Sequence, residues 1–329
     1  MTAPTPPPDP PAWGPPAWAP GPHESGPPPP GPPPAGAPAL APARVATGPA
    51  PPRVWSVFLA FGVVVGCVVT VPGVVIAVWV ALQAGPHVLF DPATSKGAIE
   101  KVAFSFPGIS LAVLLNALAI AGVALTAAAL SPVAWRTRLR LGRPRFSWAL
   151  VPVLVIGVLA LSQALDALAV LLGISNHGFL PRLRQLVRSL PPGSLAVLAV
   201  IMGAAPGFCE EVFFRGYLQA RLIERWGPAA AVATSAVLFG ALHLDPVQAP
   251  MAAVLGLYLG HVAWRAESIW PAVVCHAVNN VVATLSGALV PEHLGGRVSC
   301  LVQLTVGVAL AAASLALLHR GTPRSAVTS

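Results

Sequence analysis

The sequence predicts an all-α bundle of about eight membrane-spanning helices, preceded by a disordered, proline-rich tail. Three observations carry that prediction. The chain is 55% hydrophobic and only 9% charged, with a mean hydropathy of +0.74, too apolar for a soluble domain that must clothe itself in charge. Apolar runs of roughly the 20 residues needed to cross a hydrocarbon core recur along it. Residues 1–52 hold 22 of the 39 prolines, so neither a helix nor a packed core is expected there.

The spans are expected at 55–83, 104–130, 147–173, 194–222, 228–245, 248–264, 269–290 and 298–319. The first long apolar run begins only after Arg53, which argues for a true span rather than a cleaved secretory signal. The tail repeats Pro-Ala-Trp-Gly-Pro and Pro-Ala-Trp-Ala-Pro around Trp13 and Trp18, and a solvated tail is the simpler reading of it than a docking motif.

The net charge of +8 does not point to nucleic acid, because the arginines sit in short segments between apolar runs without interleaved aromatics. Topology and contact with anionic lipid account for it better. The loop with Arg136, Arg138, Arg140, Arg143 and Arg145 marks the cytoplasmic side, and Arg44, Arg53, Arg221, Arg225, Arg265, Arg320 and Arg324 agree if both termini are cytoplasmic. Arg182, Arg184 and Arg188 do not. They fall in an amphipathic stretch from Phe179 to Leu190 that is expected to lie in the interface. The four cysteines, Cys67, Cys209, Cys275 and Cys300, lie within apolar runs and imply no disulfide framework.

Ionisable groups inside spans cost about 2.5 to 3.5 kcal/mol each at a helix centre. Glu210, Glu211 and Arg215 share one span, which thereby gives up roughly 8 to 10 kcal/mol of insertion free energy. A structural ion pair between Glu211 and Arg215, at i and i+4, explains two of them and leaves Glu210 over. A second group is Phe239-Gly-Ala-Leu-His243, and a third is His276-Ala-Val-Asn-Asn280, in which His276 and Asn280 share a helix face. A lone histidine is more often a satisfied core residue, but this set on three spans points to one shared polar site.

Geometry permits the convergence. With a turn at Gly227-Pro228, Glu210 lies 17 residues before it and His243 lies 16 after, so at about 1.5 Å per residue both stand about 25 Å from the turn. His276, counted from a turn near Glu267, is shallower, and helix tilt or a deep loop must close that gap.

The run Glu210-Glu-Val-Phe-Phe-Arg-Gly-Tyr-Leu-Gln219, then Phe239-x-x-x-His243, then Ser268-Ile-Trp-Pro-Ala-Val-Val-Cys-His-Ala-Val-Asn-Asn280 resembles the CPBP family of type II CAAX prenyl proteases and bacteriocin-processing proteins. The resemblance covers roughly 195–285, with Ala266-Glu267-Ser268 standing where many relatives have Thr-Gly-Ser. On that resemblance the chain divides into the tail (1–53), a first group of spans (54–190), a catalytic core (191–320) and a short C-terminal tail (321–329).

The resemblance implies hydrolysis of a peptide bond within the membrane. Glu210 is then the general base, His243 holds the same water, His276 and Asn280 stabilise the oxyanion, and Glu211 and Arg215 orient and charge-balance the site. A carboxylate shielded from water is the stronger base, and an asparagine amide donates at any pH. No cofactor is expected to be required. Zinc is the rival, with Glu210, His243 and His276 as its ligands, although no H-E-x-x-H is present. Other readings are a non-catalytic scaffold or bacteriocin-immunity protein, and a proton-coupled transporter relaying through Glu210, Glu211 and Asp166. The expected partners are membrane lipid and a peptide or protein substrate, lipidated or not. The expected location is integral to a bacterial plasma membrane.

Overall fold

The computed structural model describes residues 53–290 and 296–322. Its helices are, in order, α1 (Trp55–Ala84), α2 (Pro92–Ala103), α3 (Phe106–Ala129), α4 (Trp135–Arg138), α5 (Val151–Leu171), α6 (Leu180–Ser189), α7 (Pro192–Glu211), α8 (Ala220–Leu242), α9 (Gln248–Ala266), α10 (Trp270–Leu289) and α11 (Arg297–Gly321). A π-helical segment, Val212–Gln219, joins α7 to α8 without a break. No strand occurs among the described residues. The proline-rich segment read as a tail and residues 323–329 lie outside them.

Local chemistry sets the helix starts. Proline, whose missing N–H is no loss in a first turn, opens α2, α3, α5, α6, α7 and α10. Asp91 and Ser105 accept the N–H groups of Ala93 and Gly108 and so cap α2 and α3.

Among the described residues six helices are long and apolar enough to cross a membrane: Trp55–Ala84, Phe106–Ala129, Trp148–Leu171, Pro192–Leu242, Trp270–Leu289 and Arg297–Gly321. The longest is two crossings. At Gly227 the backbone leaves the helix (φ 75°, ψ 169°) and doubles back, so that Ser235 donates to the Phe214 carbonyl and Phe239 packs edge-on against Phe214. With α9 returning between α8 and α10, the described residues traverse the bundle eight times, in keeping with the roughly eight apolar stretches of the sequence.

Polarity is arranged for lipid. Val63, Val69, Val74 and Val78 of α1, Leu118 of α3 and Val302, Val306 and Leu310 of α11 face outward, while Glu211, Arg215, Gln219 and His276 are buried. The arginines of the α4 segment and of the α8 and α9 ends gather at one end, where Arg138 pairs with Glu224, Arg145 with Glu267, and Arg265 with Thr322. Ser56 meets Arg221 at the same end, so the first and last described helices begin and finish there. The amphipathic α6 lies at the opposite end. Its apolar residues Leu183, Leu186 and Val187 pack over Leu195, Leu198 and Leu285, and Arg188 donates to the carbonyls of Gly287 and Val290 at the end of α10.

The contact that positions the site is between α7 and α10. Gly203 and Gly207, one helical turn apart, face Ala277 closely enough that a Cβ on Gly207 would lie 2.9 Å from the Ala277 Cα. Lipid tails are as apolar as leucine, so helices in a membrane associate through such close backbone approach rather than by expelling water. Gly207→Ala is therefore expected to lower stability in detergent by about 1 to 3 kcal/mol through overpacking. Gly122→Ala, where nothing lies within 4 Å, serves as the control and is expected to be neutral or stabilising. Thermal unfolding of the two purified variants checks the contrast.

Candidate active site

Glu210 and Glu211 close α7, and the π-helical turn that follows decides what surrounds them. Arg215 and Gln219, one turn apart on that segment, reach α9 by donating to the backbone carbonyls of Gly256 (3.2 Å) and Gly260 (2.9 Å). Segments of π-helix are uncommon and concentrate at functional sites, where the wider turn re-aims side chains.

Glu211 is fully buried, and one of its oxygens does two things. Oε1 accepts from Arg215 Nη1 at 2.9 Å and from His276 Nδ1 at 2.9 Å. Because a carboxylate only accepts, Nδ1 of His276 carries a proton, and the ring's other nitrogen faces Glu210. Nε2 stands 3.9 Å from Glu210 Oε2. That separation is too long for a direct hydrogen bond and within the range of an ion pair. Glu210 differs from its neighbour in access: its side chain is 16% exposed where that of Glu211 is 0%.

The depth gap left open for His276 is closed by a loop. The start of α10 is held by the arginine-rich segment, with Ile269 N–H donating to the Arg140 carbonyl, Trp270 Nε1–H to the Leu141 carbonyl and the Ser268 hydroxyl to the Gly142 carbonyl. Leu139 of the same segment lies directly against Gly216. The α9–α10 turn thus sits level with Gly216, five residues past Glu211, rather than level with Gly227. A short run into α10 then brings His276 to Glu211.

His243 follows α8 and is held differently. Its Nδ1 donates to the Phe239 carbonyl at 3.0 Å, which leaves the Nε2 lone pair as an acceptor. Among the described residues no hydrogen bond or ion pair joins His243 to Glu210. The two histidines are linked through Phe239, whose ring meets His243 edge-on at 5.2 Å and His276 at 5.7 Å, with the Arg215 guanidinium over its face at 4.5 Å. Asn280 faces α7 as the i+4 spacing predicts, but its amide donates to the Met202 carbonyl at 3.2 Å.

Two residues escaped the sequence reading. Asp245, two positions past His243, accepts from the N–H groups of Val247 (2.9 Å), Gln248 (2.8 Å) and Phe179 (2.7 Å), so it caps the start of α9 and ties it to the start of α6. Its signal was present in Asp245-Pro-Val-Gln248, a cap residue with proline next and glutamine third. Asn279 is the more buried of the two asparagines, and its Oδ1 has no partner. Three residues after His276, it shares that face as Asn280 does at four, so helical spacing alone does not rank the two.

The donor set does not fit a metal as it is placed. Among the described residues no three His, Cys, Asp or Glu side chains converge on one point. Of the trio that zinc would need, Glu210 and His276 approach each other and His243 stands apart, while Glu211 already serves Arg215 and His276.

Residues 192–282 match the family model described as type II CAAX prenyl endopeptidase, Rce1-like. The match opens at the first residue of α7 and closes just past Asn280, so it takes in all three motifs and leaves out α1 to α6 and α11. It agrees with the resemblance those motifs carry. No curated protein and no solved structure matches the chain.

The buried pair yields its own test. Arg215→Met leaves the fully buried Glu211 carboxylate without its cationic partner and with the His276 N–H alone of its two donors, and the expected loss is about 3 to 5 kcal/mol. Adding Glu211→Gln removes the stranded charge, so the double variant is expected to recover most of the lost stability. Denaturation of the three variants in one detergent checks this, and a double variant no better than Arg215→Met would deny the pairing.

Proposed function

We propose that the protein is an intramembrane endopeptidase of the CAAX-processing type, in which Glu210 activates the water that attacks a peptide carbonyl. The observation that carries the proposal is the division between adjacent glutamates. Glu211 is consumed by Arg215 and His276, whereas Glu210 is accessible and faces the free nitrogen of His276. The Rce1-like match over the same residues supports the reaction class.

The chemistry then runs on this chain's own groups. Glu210 takes a proton from water as the oxygen adds to the scissile carbonyl, and returns it to the departing amine nitrogen as the C–N bond breaks. His243, with Nδ1–H held by the Phe239 carbonyl, offers Nε2 to a hydrogen of the attacking water. His276 serves the oxyanion in its doubly protonated form, with Nδ1–H on Glu211 and Nε2–H turned to the developing charge. Arg215 balances Glu211, so the cluster does not carry two uncompensated carboxylates. No step passes through a metal, and no cofactor is required. The substrate is a peptide segment presented from the bilayer, and the arginine-bearing end faces the cytoplasm.

Purified full-length protein in detergent, offered a peptide library and read by mass spectrometry, is expected to release fragments with new termini. Glu210→Ala is expected to release none. Protein passed through a strong chelator should keep most of its activity and contain well under one zinc per chain by elemental analysis. Stoichiometric zinc, with activity lost on chelation and restored by added Zn²⁺, would turn Glu210, His243 and His276 into ligands.

A further inference from the structure

Pro206 lies inside α7, one turn before Glu210. Proline has no N–H, so the carbonyl four residues earlier, that of Met202, loses its helical donor. Within a bilayer no water stands ready to replace it, and an open carbonyl is costly there. The group that fills the gap is the Asn280 amide of α10, which donates to Met202 O at 3.2 Å.

This contact is built into the closest helix pairing around the site. Gly203 and Gly207 bracket Pro206 and admit the α10 backbone at Ala277, which brings Asn280 within reach of Met202. One turn before Asn280, the same helix presents His276 to Glu211. The two hydrogen bonds join α10 to α7 on either side of the Gly207–Ala277 approach.

We infer that Pro206 and Asn280 form one device: the proline opens the Met202 carbonyl, and the Asn280 amide pins α10 to it, which holds His276 against Glu211. Asn280 is thereby a positioning residue, and its effect on the reaction passes through His276. The inference departs from the oxyanion role that the motif resemblance implies for this side chain. It draws on the proposed endopeptidase reaction only for one of its two readouts.

The test is a double-mutant cycle with Pro206→Ala and Asn280→Leu, read by thermal unfolding and by kcat/KM on a cleaved peptide. Alanine at 206 restores an N–H, so Met202 O regains its helical partner and no longer needs Asn280. Asn280→Leu alone is expected to lower the unfolding midpoint and to reduce kcat/KM by about tenfold, the equivalent of one lost hydrogen bond. In the Pro206→Ala background both losses are expected to shrink to near nothing. Should Asn280→Leu fail to fold, Asn280→Ala, which adds no bulk, carries the same comparison.

An oxyanion donor behaves otherwise: its removal costs about 100- to 1000-fold in kcat whichever residue occupies 206. Losses of equal size in both backgrounds would overturn the inference. The unfolding half of the cycle decides it even if no peptide is cleaved, so failure of the endopeptidase reading and failure of this one leave different records.

Discussion

Everything around the candidate site depends on how one fully buried carboxylate is satisfied. Glu211 Oε1 accepts from Arg215 within its own chain segment and from His276 on α10, both at 2.9 Å. A charge placed in a dry interior is tolerated only with a partner and with hydrogen bonds around that partner. Arg215 in turn needs the Gly256 carbonyl and the faces of Phe239 and Phe214, which commits α9 and α8 to the same spot. The requirement of a single oxygen therefore recruits α7, α8, α9 and α10, and the geometry of the candidate site is a consequence.

The means of recruitment suit a lipid solvent. Where a soluble protein would bury leucines, this bundle brings backbones together at Gly203, Gly207 and Ala277 and closes the approach with interhelical hydrogen bonds. Tyr258 does the same elsewhere, donating to the Leu154 carbonyl beside Ser314 and joining α5, α9 and α11. The carbonyl that Pro206 leaves open is the same principle turned to use, since a polar group without a partner in hydrocarbon fixes where its partner must come from.

Much of this was legible in the sequence. Apolar length gave the spans, and counting residues from Gly227 gave Glu210 and His243 a common depth, which the Phe214–Phe239 contact supports one turn nearer the bend. The i and i+4 spacing of Glu211 and Arg215 foretold their pairing, and that of His276 and Asn280 foretold a common face. What spacing could not give was which atom meets which. Phe239 as the link between the histidines, the level of the α9–α10 turn and the contact of His276 with Glu211 rather than with His243 all come from elements far apart in sequence. Asp245 was legible and passed over, because a capping pattern reads as a helix start and not as part of a site.

Two glutamates adjacent in sequence thus stand in different surroundings: Glu211 is fully buried between Arg215 and His276, and Glu210, partly exposed, is the group assigned to the water in the proposed reaction. The thermal unfolding midpoint of Glu210→Gln beside that of Glu211→Gln tests this division most directly. Glu210→Gln is expected to unfold at or above the wild-type midpoint, since a mostly buried charge without a close partner is removed. Glu211→Gln is expected to unfold well below it, by about 3 to 5 kcal/mol in stability, with Arg215 left uncompensated. A Glu211→Gln protein as stable as wild type, beside a destabilised Glu210→Gln, would show that the bundle is not built on the Glu211 carboxylate.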